Sequence, residues 1–131
     1  MIVVLDSNEY INHLEKKPKI LDKIFLSEGT VIYINEIIVE EVLRNINELQ
    51  KKEFYSLISR HKNVAYDKKI SLDLLQKYKT IGLKKGDIAI AAFCEGVKAN
   101  YLVTENRHFL KSRKFEKFGV LSLKDFLTKL K

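Results

Sequence analysis

The feature that most limits what this chain can fold into is its opening run, Ile2-Val3-Val4-Leu5, which passes directly into Asp6-Ser7-Asn8. A short, continuous apolar run reads as a strand covered on both faces. A carboxylate then stands where that strand ends. In an open parallel sheet, ligands gather beyond the carboxyl ends of the strands. Asp6 would also serve as a cap for the helix expected to begin near Asn8. On this stretch alone the two roles stay open.

The rest of the chain alternates in the same manner. Tyr10, Ile11 and Leu14, then Ile20, Leu21, Ile24 and Phe25, have helical spacing broken at Pro18, and Gly29 closes the segment. Thr30–Ile34 reads as a second strand, with Asn35 as N-cap of the next helix. Ile38, Val42, Ile46 and Leu49 form the apolar stripe of that helix, and Phe54, Tyr55, Leu57 and Ile58 continue it. Val64–Tyr66 is a brief strand. Ser71 caps a helix carrying Leu72, Leu75 and Tyr78, and Gly82 ends it. Gly86-Asp87 opens a helix apolar almost all round, ending at Gly96, which should therefore be buried. Asn100–Thr104 and Gly119–Ser122 are further strands. Ser122 with Asp125 resembles a capping box for a last helix, Leu123 to Leu130. Strands alternating with helices predict βα units and a parallel sheet.

With 131 residues, no repeat and no linker, residues 1–131 are expected to form one domain. The 46% hydrophobic content supplies a core and the 31% charged content a solvated surface. No apolar run is long enough to cross a bilayer, and no basic leader precedes the first strand, so neither membrane attachment nor a signal peptide is expected. The lone Cys94 excludes an internal disulfide and suits a reducing, cytoplasmic setting. A net charge of +7 favours a polyanionic partner.

Several acidic or amide residues are notable for where they fall. Glu41 sits at the edge of its helix's apolar stripe, Asp87 begins the buried helix, and Glu105-Asn106 follow the strand ending at Thr104. With Asp6, these positions converge on one edge of a parallel sheet. Each has a plainer role: Asp87 as a helix cap, Glu41 as a solvated charge beside Glu36 and Glu40, Asn106 as a turn residue. His13, His61 and His108 lack ligand spacing and read as surface or packing residues, and Cys94 as a small buried group. Clustered carboxylates stay ionised only beside a cation. All-oxygen ligands suit Mg²⁺ or Mn²⁺, and such ions serve phosphodiester hydrolysis.

Four segments, in order, carry a resemblance: Val4-Leu-Asp6-Ser-Asn8; Ile34-Asn-Glu-Ile-Ile-Val-Glu-Glu41-Val-Leu; Gly86-Asp87-Ile-Ala-Ile-Ala-Ala; and Leu102-Val-Thr104-Glu-Asn106-Arg-His-Phe109. The chain resembles a PIN-domain protein. The resemblance implies a three-layer α/β/α sandwich on a mostly parallel sheet, and Mg²⁺- or Mn²⁺-dependent endoribonuclease activity. It implies that Asp6, Glu41 and Asp87 are the metal carboxylates, with Asn106 joining the catalytic set. Asn8, Thr104 and Glu105 are then supporting groups. The family often has aspartate where this chain has Asn106, so that either neighbouring Glu105 compensates or a second metal binds weakly. Many compact members are VapC-type toxins, dimeric and paired with a small antitoxin, which implies both partners here. The amphipathic segment Lys51 to His61 is the expected partner surface.

Lys84, Lys85, Arg107 and Lys111 adjoin the proposed pocket in sequence and are expected to contact RNA phosphates, with Arg113, Lys114 and Lys117 close by. Phe109, Phe115 and Phe118 are candidates for base stacking or for core packing. Two rival functions are a PIN-like RNA-binding or assembly module without catalysis, motivated by Asn106, and a signalling domain phosphorylated on Asp6.

Overall fold

The computed structural model describes residues 1–15, 21–67, 71–111 and 115–130. Pro18, Ile20, Arg113 and Lys114 lie outside the described residues. The sheet has five strands: β1 (Ile2–Leu5), β2 (Val31–Ile34), β3 (Val64–Tyr66), β4 (Tyr101–Val103) and β5 (Gly119–Leu121). They run in the order β3-β2-β1-β4-β5, and every pairing is parallel. β1 is central. Val3, Val4 and Leu5 are each 0% exposed, so consecutive side chains pointing to opposite faces are all covered. The sheet therefore has helices on both faces, as the unalternating sequence requires.

Chain order places the strands on either side of β1. The path runs outward through β2 to β3, then crosses to β4 and β5 on the other side. The direction of winding reverses between β1 and β4. In doubly wound sheets, that is where a crevice opens at the carboxyl ends of the strands.

Eight helices join the strands among the described residues: α1 (Ser7–Glu15), α2 (Asp22–Phe25), α3 (Glu36–Arg44), α4 (Glu48–Arg60), α5 (Leu72–Ile81), α6 (Lys85–Gly96), α7 (Arg107–Leu110) and α8 (Leu123–Lys129). α1 packs on α3 and α4, and α5 packs on α6. None is long and apolar enough to cross a membrane. The local punctuation follows the sequence closely. The Asn35 side chain accepts from Ile38 N (2.9 Å), Ser71 from Leu74 N (3.2 Å) and Ser122 from Asp125 N (3.2 Å). Gly82 closes α5 at φ +101°, a left-handed turn that favours glycine.

Three expectations are corrected. The single helix expected through Ile38–Ile58 is two, because Asn47 and Gln50 form a reciprocal capping box that starts α4 anew. Leu49 thereby leaves the stripe and is 77% exposed. Asp87 does not cap α6: Lys84 holds the N-cap position and Asp87 lies in the first turn, where it complements the helix dipole. Leu72, read as part of a buried stripe, is exposed. The burial of α6 follows the sequence, with Ile90 to Cys94 all buried.

Candidate active site

The first turn beyond β1 places Asp6 in the crevice between β1 and β4. Its backbone N–H extends the β1–β4 ladder by donating to Val103 O at 3.0 Å. That single bond sets the carboxylate beside the end of β4. Thr104, the next residue of that strand's exit, donates its hydroxyl to Asp6 Oδ2 at 2.7 Å. Ser7 N donates to Asp6 Oδ1 at 2.8 Å, so both carboxylate oxygens are held.

Ser7 does more. It is 1% exposed, and its hydroxyl donates to Glu41 Oε1 at 2.7 Å while standing 3.5 Å from Asp6 Oδ1. One hydroxyl therefore stands between the two carboxylates. Glu41 is half-buried on α3, whereas Glu40, one residue back, is exposed. A step of about 100° around a helix separates them, enough to put only one toward the crevice.

Asn106 completes the chain of contacts. Its backbone N–H donates to Thr104 Oγ1 at 3.0 Å, and its side-chain Nδ2 donates to Asp87 Oδ1 at 3.4 Å. Its Oδ1 accepts from His108 N at 2.9 Å, capping α7. The turn role and the site role thus coexist in one side chain. A continuous hydrogen-bonded path runs from Glu41 through Ser7, Asp6, Thr104 and Asn106 to Asp87.

The electrostatics follow. Burial raises the Asp6 carboxyl above its usual range. The Thr104 and Ser7 bonds pull it back, and the charges of Glu41 and Asp87 push it up again. Among the described residues, the donors that reach Asp6 are hydroxyls and an amide, with no lysine, arginine or histidine among them.

Other expected residues fall elsewhere. Asn8 is exposed at the start of α1. Glu105 is exposed, and its Oε2 accepts from Leu123 N at 3.1 Å, at the start of α8. That bond satisfies the first backbone N–H of α8. Lys117 lies near Glu95 and lines a different cavity, with Tyr101 and Phe118. Phe109 and Phe118 are buried and Phe115 is half-buried. Phe115 lies 5.4 Å from Phe109 and 5.1 Å from Phe118 by ring centroid, so these rings pack on one another. Cys94 is buried and its thiol is pushed up by burial, as expected of an inert core group.

Two residues that the sequence did not flag matter most. Ser7 is the first. The second is Glu9, 2% exposed, with Oε1 lacking a hydrogen-bond partner among the described residues. Burial, the Glu105 carboxylate beside it, and Asp6 push Glu9 up to about 8. An acidic residue three positions after Asp6 on the inner side of α1 was the only available signal, and it looks like an ordinary first-turn charge.

No family model matches the sequence, and no curated protein matches it. Solved structures do. VapBC-1 from nontypeable Haemophilus influenzae superposes with a TM-score of 0.69 at 19% identity, over 95% of this chain and 99% of that one. VapBC2 from Rickettsia felis, bound to a DNA fragment from their promoter, gives 0.62 at 19% identity, over 92% and 97%. The chain has the PIN-domain fold. In this PIN fold, Asp6 follows the end of β1, Glu41 stands in the middle of α3 and Asp87 in the first turn of α6, linked through Ser7, Thr104 and Asn106.

Whether this PIN-fold crevice suits a divalent cation is a question of its donors. They are oxygens, and the charge on Asp6 is opposed by its neighbours rather than compensated. Among the described residues, no group of three or more His, Cys, Asp or Glu side chains is arranged to hold a metal ion. The set is therefore not a closed protein cage. Mg²⁺ rarely uses one: it retains several waters and takes one or two carboxylates. Oxygen donors of this kind suit Mg²⁺ or Mn²⁺ better than zinc, which favours nitrogen and sulfur.

Proposed function

We propose that the chain is a metal-dependent endoribonuclease that hydrolyses RNA phosphodiester bonds. The observation that carries this reading is the hydrogen-bonded path linking Glu41, Asp6 and Asp87 at the switch point, with no basic side chain among the described residues bonded to Asp6. Asp6, Glu41 and Asp87 would hold Mg²⁺ or Mn²⁺. When bound, the ion neutralises charge on the phosphoryl oxygens and lowers the pKa of water. The residues of the chain supply the rest. Ser7 and Thr104 orient Asp6 so that its free lone pairs face the crevice. Ser7 also fixes Glu41. The Asn106 amide directs Asp87 without adding a fourth charge.

The likeness to VapBC structures supports placing the chain as the toxin of a toxin–antitoxin pair, with a small antitoxin as partner. Self-association into a dimer belongs to the same proposal. Cleavage of RNA with Mg²⁺ or Mn²⁺, lost in EDTA and lost in Asp6→Asn, is the expected result. Equal cleavage by wild type and Asp6→Asn would exclude this chemistry.

The second reading is an RNA-binding or assembly module that lacks turnover. Asn106 favours it, since an amide at that place contributes no charge toward a second ion. Salt-sensitive RNA binding with no metal-dependent cleavage would select it.

A further inference from the structure

One side of α6 is incompletely filled. Ala89, Ala92 and Gly96 stand three and four positions apart and so share a face of the helix. α5 packs on α6, and these small residues leave a cavity of ≈ 180 Å³ that reaches Asn35 and Asp67, the residues after β2 and β3. Leu75, Phe93 and Val97 give it apolar walls. A Cβ on Gly96 would meet Leu74 Cδ1 at 3.6 Å, an ordinary contact, so close packing does not require the glycine.

The polar end distinguishes this cavity from a packing defect. Asn35 lines it and is 6% exposed. Its Oδ1 accepts from Ile38 N as the cap of α3, which fixes the amide and turns Nδ2 away from the helix. Among the described residues Nδ2 donates to nothing. A buried donor without an acceptor is costly to keep. Ser71 lies at the same end. Its Oγ accepts from Leu74 N, which leaves the hydroxyl proton without an acceptor among the described residues. No lysine, arginine or histidine lines the cavity; Lys84, Arg107 and Lys111 line a separate cleft beside Asp87.

We propose that this cavity binds a small neutral molecule with an apolar ring and one carbonyl or hydroxyl oxygen. The oxygen accepts from Asn35 Nδ2 and Ser71 Oγ, and the ring lies along Ala92, Phe93 and Val97. An apolar cavity of about 150 Å³ takes up benzene, so this one admits a six-membered ring with one or two further atoms. A few placed polar groups on an apolar wall are the usual make-up of such sites. With no cation lining it, the cavity offers an anion nothing. None of Asp6, Glu41 or Asp87 lines it, so the proposal stands or falls apart from the nuclease reading.

The test is titration of the isotopically labelled chain with benzyl alcohol, followed by backbone amide NMR shifts. Saturable shifts are expected at Asn35 and along Ala89 to Val97, with a Kd on the order of 1 mM. Ala89→Leu, at a half-buried position, fills the cavity and should abolish them. Asn35→Asp keeps the cap of α3, since aspartate caps as well as asparagine, and removes only the donor. It therefore reports even if Ala89→Leu fails to fold. It should weaken benzyl alcohol about three- to tenfold, the value of one hydrogen bond, and leave toluene unchanged. The absence of saturable shifts overturns the proposal. So does binding that survives Ala89→Leu, or equal weakening of toluene by Asn35→Asp. Benzylamine binding more tightly than benzyl alcohol would make Asp67 the recognition group, and would overturn it too. A dimer seen by sedimentation in the wild type and lost in Ala89→Leu would mean that a second copy fills the cavity, with the same consequence.

Discussion

The Ser7 hydroxyl donates to Glu41 Oε1 at 2.7 Å, joining the first turn of α1 to the middle of α3 across 34 positions of sequence. Through that bond the residue after Asp6 decides where a second carboxylate points. Groups that orient a ligand side chain commonly change metal affinity 10- to 100-fold when removed. Ser7→Ala should therefore weaken Mn²⁺ binding, read by calorimetry, by about tenfold or more. Unaltered affinity would mean that Glu41 is held by its helix alone.

Thr104 is 0% exposed and uses its hydroxyl twice, donating to Asp6 Oδ2 and accepting from Asn106 N. Thr104→Val keeps the shape and removes both bonds. A buried acceptor and a half-buried donor are left without partners, so urea unfolding should show a loss of about 1–3 kcal/mol, at roughly 1–3 kcal/mol for a fully buried unsatisfied group but with Asp6 free to take a proton and Asn106 N–H partly open to water. A loss under about 0.5 kcal/mol would show that water replaces the hydroxyl.

Glu9 makes stability depend on pH. Its carboxyl is raised from 4.5 to about 8 in the fold, by burial first and by Glu105 and Asp6 after it. The folded chain therefore holds a proton that the unfolded chain releases between these values. Stability from this group is full below about 4.5, falls as pH rises, and is lost once pH passes about 8. Glu9→Gln, which stays neutral, should flatten the decline in melting temperature between those limits. An unchanged pH profile would place the titration elsewhere.

Asn106→Asp would set a carboxylate where an amide now donates to Asp87 at 3.4 Å. An attraction becomes a repulsion, so stability in EDTA should fall by about 1–2 kcal/mol. The same charge should tighten Mn²⁺ binding, and added Mn²⁺ should restore the melting temperature. Loss of stability without tighter ion binding would mean that Asn106 acts only as the cap of α7.

The sequence by itself determined the strands, most helix ends and the edge on which acidic residues gather. These depend on residues a few positions apart: an apolar run too continuous to face water, or a side chain that caps an amide three residues on, as at Asn35, Ser71 and Ser122. Even where local chemistry was misread, at Asn47 and Asp87, the deciding contacts lay within one helical turn. Tertiary structure alone decided which carboxylates met. The bond from Thr104 to Asp6 spans 98 positions, Glu9 is buried with the Glu105 carboxylate beside it, and Glu105 in turn accepts from the amide of Leu123 at the start of α8. Apolar spacing records which face of an element is covered, but it does not record which polar groups of other elements cover it. Only the packed sheet, with its reversal between β1 and β4, brings those groups within hydrogen-bonding distance.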